Sequence, residues 1–218
     1  MKRFFLIYLL LQLTLNLFTQ TVETKTERII QYYSLCKSDT STENKLYFFR
    51  AFPDNFVDFR SIYGYSDAVV GTDTYVSAPL YEESMEHICF FCNLCGTIAP
   101  AQYYKKMINI TINGYWQADA VNYFRSCLMA HLLSEPDTIF LKPESYHSSE
   151  IFLSTLETYP QKIQLSFWTF FFDMMYIDFV DFQDIYNKIC VFSNSHGRLY
   201  KFMKKGYKKN LKKLRTEI

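Results

Sequence analysis

Apolar residues recur at three- and four-residue spacing along most of this chain, while strict apolar and polar alternation over strand lengths is scarce, which restricts the fold to packed helices. Residues that start or stop helices bound each periodic stretch. Phe52, Phe56 and Phe59 stand at helical spacing around Pro53-Asp54, with Gly64 as a stop. Leu80 to Leu94 carries Tyr81, Met85, Ile88, Phe91 or Cys92, and Cys95 on one stripe, with Glu82, Glu83 and Glu86 near the end where the helix dipole favours acids. Pro100 opens a helix that Asn113-Gly114 closes. Another runs from about Gln117 to Leu133, with Ala118, Val121, Phe124 or Arg125, Leu128 and Leu132 in phase. Pro136 and Pro143 bound a linker, Ser148 or Ser149 caps a helix to Thr158, and Pro160 precedes the apolar run Ile163 to Met175. Helical spacing returns over Phe179 to Phe192 and Leu199 to Leu214. Asp67 to Ala78 has no period and contains Gly71, which reads as an exposed loop.

The expected fold class is all-α: a single compact bundle or irregular stack of about seven antiparallel helices after a signal peptide. No residue signature repeats at the roughly 30 to 50 residue period of stacked helix pairs, which favours the bundle. Twenty-one Phe and 18 Tyr against 6 Gly supply enough burial area for an aromatic core without a dense disulfide framework. The chain divides into a signal peptide (1–20), an N-terminal extension and first helix (21–48), a helical core domain (49–197) and a basic amphipathic C-terminal helix (198–218).

The signal-peptide reading rests on Lys2 and Arg3, the apolar run Phe4 to Leu11 and a junction at Thr19-Gln20. The stretch from Phe4 to Phe18 is shorter than the roughly 18 to 20 apolar residues of a membrane span. An exported, periplasmic protein is expected. Leu17 is large for the position three before the cut, so membrane anchoring by an uncleaved N-terminal segment is the alternative.

A net charge of +1 conceals a lopsided layout. From Arg198 to Ile218 nine basic residues face one acid, Glu217; without that tail, Lys2 and Arg3, 12 basic and 21 acidic residues remain. In the tail, Leu199, Met203, Tyr207, Leu211 and Leu214 form one helical stripe, and lysines fill the other faces. Lys201, Lys204, Lys205, Lys208, Lys209, Lys212 and Lys213 are therefore the candidate contacts to a partner or an anionic envelope surface. Docking of the same stripe on the protein's own core is the competing reading. Gly206 weakens this helix by about 1 kcal/mol relative to Ala, which predicts fraying of its end.

The six cysteines are Cys36, Cys89, Cys92, Cys95, Cys127 and Cys190. Cys89, Cys92 and Cys95 form a candidate thiol or disulfide cluster. Their spacing has the start of an iron–sulfur run, and His87 completes four zinc ligands on paper. On a continuous helix, however, positions three apart rotate around the axis and do not converge on one ion. Buried thiols, or a disulfide from this helix to Cys127, Cys190 or Cys36, fit better. No metal site, cofactor site or catalytic residue is expected. His87, His131, His147 and His196 stand in unrelated contexts, and Glu82, Glu83 and Glu86, or Asp173, Asp178, Asp181 and Asp184, offer an acid and base pair for glycan hydrolysis in principle, although solvated helix faces and caps explain them better. Asn109-Ile110-Thr111 matches a glycosylation sequon. Basic and aromatic residues do not interleave on a groove, so nucleic acid is not an expected partner.

At Phe52-Pro53-Asp54-Asn55-Phe56, Tyr63-Gly64-Tyr65, Leu80-Tyr81 with Glu86-His87-Ile88, Trp116 to Phe124 and Ser166 to Asp173, the chain resembles a group of small exported helical proteins of Gram-negative bacteria. The likeness covers roughly Phe52 to Phe192 and implies a helical fold and a periplasmic setting, with no catalytic residues to carry over. Where that group has a Gly and Pro turn after the Phe-Trp segment, this chain has Met174-Met175-Tyr176. The functional expectation is an exported non-enzymatic helical binding protein, in its most concrete form a periplasmic immunity-type inhibitor whose partner is an envelope-acting toxin. An envelope-associated structural or adaptor protein held by the basic helix is the alternative, and an envelope glycan hydrolase the third.

Overall fold

Pro100 and Pro160 stand at the helix starts read from the sequence, whereas other helices begin later than the pattern placed them. The computed structural model describes residues 22–67, 75–115, 119–133, 149–172, 183, 186–187, 189–191 and 196–217, without the side chains of 133 and 213–217. The signal peptide, the centre of the Gly71 loop, residues 116–118, the Pro136 to Pro143 linker, Ser148, His147 and the segment Asp173 to Asp181 lie outside the described residues.

The chain is all-α and divides along its sequence into two compact units, the first ending at Phe52 and the second starting at Pro53. The first unit contains α1 (22–38) and α2 (Thr42–Ala51), two helices where the sequence suggested an extension and a first helix. Ser41 caps α2 by accepting from the Asn44 amide, and Asp39 accepts from the Ser41 amide and from the Asn44 side chain. Stacking of Tyr32 on Tyr47 and contact of Tyr33 with Phe48 join the two helices.

The second unit begins with α3 (Phe56–Tyr63), which Asn55 caps by accepting from the Asp58 amide and which Gly64 ends. Phe56 and Phe59 are buried on it as expected, whereas Phe52 ends the preceding helix. Its position before Pro53 is the reason: a residue preceding proline is driven out of helical geometry. The aperiodic stretch is not wholly a loop. Its ends pair as an antiparallel ladder of β1 (Tyr65–Asp67) and β2 (Tyr75–Ser77), with Ser66 opposite Val76. Three-residue strands are too short to display alternation, so the pattern escaped the sequence reading.

Then come α4 (Ser84–Cys92), α5 (Pro100–Thr111), α6 (Asp119–Leu133), α7 (Ser149–Glu157) and α8 (Gln161–Phe172). Helical residues follow at 183, 186–187 and 189–191. The last element is α9 (Gly197–Glu217). The second helix of the sequence reading is shorter than Leu80 to Leu94: Met85 is exposed, and Cys95 lies in the turns after α4 rather than on its stripe. Asn113 takes a left-handed φ of 58° and closes α5.

Aromatic rings carry the packing from helix to helix. Phe59 of α3 meets Phe124 of α6, Phe91 of α4 stacks on Tyr103 of α5, and Tyr104 meets Phe152 of α7 edge-on. Phe152 in turn meets Phe167 of α8. Trp168, fully buried, lies edge-on to Phe167 and Phe171 and stacked on Phe172. Each such pair adds about 0.5–1.5 kcal/mol beyond area burial.

α9 packs on α8, and Gly206 sits at the closest approach. A Cβ there would stand 2.8 Å from both the carbonyl carbon and the Cβ of Trp168. The glycine is thus a packing contact, and α9 is helical from Gly197 to Glu217. Ala at 206 would gain about 1 kcal/mol of helix propensity. It would also overpack a rigid backbone contact, at about 1–3 kcal/mol. Gly206→Ala is expected to lower the stability by about 1 kcal/mol in urea unfolding; a more stable variant would show that α9 does not press on Trp168.

Candidate functional site

The basic face of α9 is set by what its other face does. Leu199, Phe202, Met203, Tyr207 and Asn210 are buried, and the Asn210 side chain donates to the Thr169 carbonyl of α8. Tyr207 stacks on Tyr186 and meets Phe172 edge-on, and its hydroxyl donates to Gln183. Leu199, Met203 and Tyr207 of the apolar stripe are therefore taken up by the protein's own core, Leu211 is half-buried, and the Leu214 side chain lies outside the described residues. Lys201, Lys205, Lys208, Lys209 and Lys212 are exposed, and Lys204 is half-exposed over the Tyr200 ring at 4.3 Å. Lys205 lies 5.7 Å from the Phe202 ring. A hydrogen bond from Lys204 to Tyr200 raises the lysine pKa, which keeps it cationic. Lys213 is the one candidate whose side chain lies outside the described residues. His196 at the foot of α9 lies 3.3 Å from the Glu157 carboxylate.

The candidate cysteine cluster does not stay together. Cys92, at the end of α4, is bonded to Cys127 of α6, which selects one of the three pairings left open by the sequence. Both sulfurs belong to fully buried residues. Cys89 lies half-exposed one turn earlier on α4 and keeps its thiol. Cys95 is buried beyond the helix, its thiol donates to the Tyr104 hydroxyl at 3.4 Å, and burial pushes its pKa up to about 11. Such a thiol is inert at neutral pH. Cys36 and Cys190 also remain thiols.

Around the disulfide lies a polar pocket in an aromatic core. The Tyr103 hydroxyl donates to the Cys92 carbonyl at 3.0 Å and lies 3.1 Å from His131 Nε2, which is itself 3.3 Å from the same carbonyl. A carbonyl only accepts, so with Nε2 as its donor the imidazole lone pair is on Nδ1. His131 is 1% exposed and Tyr103 wholly buried; burial raises the tyrosine pKa and keeps the phenol neutral. Cys92, Cys127 and His131 bring three ligand atoms within 4.8 Å of one another. Cys127 and His131 are one turn apart on α6, a Cys-x-x-x-His spacing that the sequence reading passed over in favour of Cys89 to Cys95.

The remaining candidates are separated. Glu82, Glu83 and Glu86 are exposed around the start of α4, and the second carboxylate set, Asp173, Asp178, Asp181 and Asp184, lies outside the described residues. His87 is buried, with Nδ1 3.3 Å from the Tyr63 hydroxyl. The sequon is occupied by packing: Asn109 Oδ1 accepts from the Tyr159 hydroxyl, and the buried Thr111 hydroxyl donates to the Ile108 carbonyl. Among the described residues no helix is long and apolar enough to cross a membrane.

No protein-family profile, curated protein or solved structure matches this chain. Its own geometry therefore has to carry the functional argument.

Proposed function

We propose that this chain is an exported, non-enzymatic helical binding protein that meets an anionic envelope surface through the basic face of α9. The carrying observation is the division of labour on that helix: Leu199, Phe202, Met203 and Tyr207 are buried in the protein's own core, while Lys201, Lys205, Lys208, Lys209 and Lys212 are exposed. A docked helix presents its lysines in one orientation, so contact through them is electrostatic. The Cys92–Cys127 disulfide supports the exported part of the reading, because such bonds persist in oxidising compartments.

Lysines near an anionic surface contribute about 1 kcal/mol each. Replacing the five exposed lysines by glutamine is expected to lower partitioning onto phosphatidylglycerol vesicles by roughly a hundredfold or more, measured by co-sedimentation, and added salt should weaken the native protein in the same direction. Equal binding by the native and substituted chains, or no preference over phosphatidylcholine vesicles, would overturn the reading.

The second reading, an immunity-type inhibitor of an envelope-acting toxin, is favoured by the acidic remainder of the chain, with 12 basic and 21 acidic residues. An acidic surface steers a basic partner. Protection of cells from a co-encoded toxin by the chain carrying the five glutamines is the result that would favour this reading over the first.

A further inference from the structure

We propose that Cys92, Cys127 and His131 are a redox-exchangeable zinc site: a disulfide in the oxidised protein, and a two-thiolate, one-imidazole site for Zn²⁺ in the reduced one. The three ligand atoms already lie within 4.8 Å of one another and come from two helices, α4 and α6. Ligands about 2.0–2.3 Å from a tetrahedral ion are roughly 3.5 Å apart, so the set needs only side-chain adjustment once the sulfur–sulfur bond is open.

Charge favours this ion in this place. Two thiolates and one Zn²⁺ are neutral together, and a neutral unit is what a fully buried pocket accepts without an uncompensated ion. The imidazole has the support a ligating histidine requires. Its Nε2 faces the Cys92 carbonyl and the Tyr103 hydroxyl, which hold the ring in place, and with Nε2 donating to the carbonyl the lone pair on Nδ1 is the one a metal would take. The objection raised against Cys89, Cys92 and Cys95 does not apply, since these ligands converge from facing helices rather than rotating around one. α4 and α6 would then remain tied in either redox state.

The step balances with a dithiol as reductant. It gives two electrons and two protons to the Cys92–Cys127 bond and becomes a disulfide itself; the two new thiols release two protons as Zn²⁺ binds.

The test uses the full chain, anaerobic and reduced by a water-soluble phosphine, which takes up the oxygen of a water molecule as the disulfide opens. Co²⁺ serves as the spectroscopic probe. The expected result is one equivalent bound with thiolate-to-cobalt charge-transfer and tetrahedral visible bands, displaced by Zn²⁺ and absent from the oxidised chain. Cys127→Ser should abolish the bands, and His131→Asn should weaken binding at least tenfold. A chain with Cys36, Cys89 and Cys190 replaced by serine and Cys95 by alanine should still bind. Should the reduced metal-free chain lose helical circular dichroism, Zn²⁺ is expected to restore it, and failure to do so would overturn the proposal. So would absence of binding by a reduced chain that stays helical, or binding indifferent to Cys127 and His131. Vesicles play no part in this test, so its failure is distinct from failure of the surface-binding reading.

Discussion

Replacing Cys92 and Cys127 together by alanine is expected to destabilise the chain by about 4 kcal/mol. The bond closes a loop of 35 residues in sequence separation. Chain-entropy arguments place the stabilisation from such a loop between about 3 kcal/mol for 15 residues and about 4.7 for 100. Since a domain has only about 5–15 kcal/mol of net stability, the loss would be a large share of it. Guanidinium unfolding of the metal-free variant beside the oxidised native chain measures the difference. A change under about 1 kcal/mol would mean that ring packing between Phe91, Tyr103 and Phe124 holds α4 to α6 without help.

Trp168→Ala is expected to cost about 3–5 kcal/mol, the range for removing a large buried aromatic. The indole fills the space among Phe167, Phe171 and Phe172. α9 rests on the same residue's backbone at Gly206, so the cavity would open beneath the helix that presents the lysines. At about 2–4 °C per kcal/mol for a chain of this size, the melting temperature should fall by roughly 6–20 °C. Trp168→Phe separates ring packing from polar satisfaction. The indole Nε1 has no hydrogen-bond partner among the described residues, so losing it costs nothing in hydrogen bonding, and the phenylalanine variant should lose well under half as much. Equal losses for both variants would show that the indole's full width, and not merely a ring, is required.

Punctuation made the helices legible. Pro100, Asn113-Gly114 and Pro160 act through local backbone preferences, so their consequences appear wherever they stand in the fold. The buried Val121, Phe124, Leu128 and Leu132 confirm the phase read for α6. Long-range facts were not encoded locally. That Cys92 meets Cys127 depends on which helix faces which, and the polar pocket with Tyr103 and His131 exists only after that choice. The early end of α4 at Cys92 was equally hidden, because Leu94 and Cys95 are apolar enough to extend the stripe yet are buried from turns. The packing role of Gly206 was hidden for a related reason: propensity scales see an isolated helix, and the neighbour that makes the missing Cβ useful is 38 residues earlier in the chain.

The occupied sequon has a consequence for how this protein can be produced. Asn109 emerges from a ribosome before Tyr159, the residue whose hydroxyl it accepts from in the folded chain. In a eukaryotic secretory host, a sugar-transferring enzyme would meet that asparagine while it is still extended. The oligosaccharide would then occupy the flank of α5 that Tyr159 covers in the finished fold. Bacterial expression, or an Asn109→Gln chain in a eukaryotic line, avoids the conflict between decoration and packing.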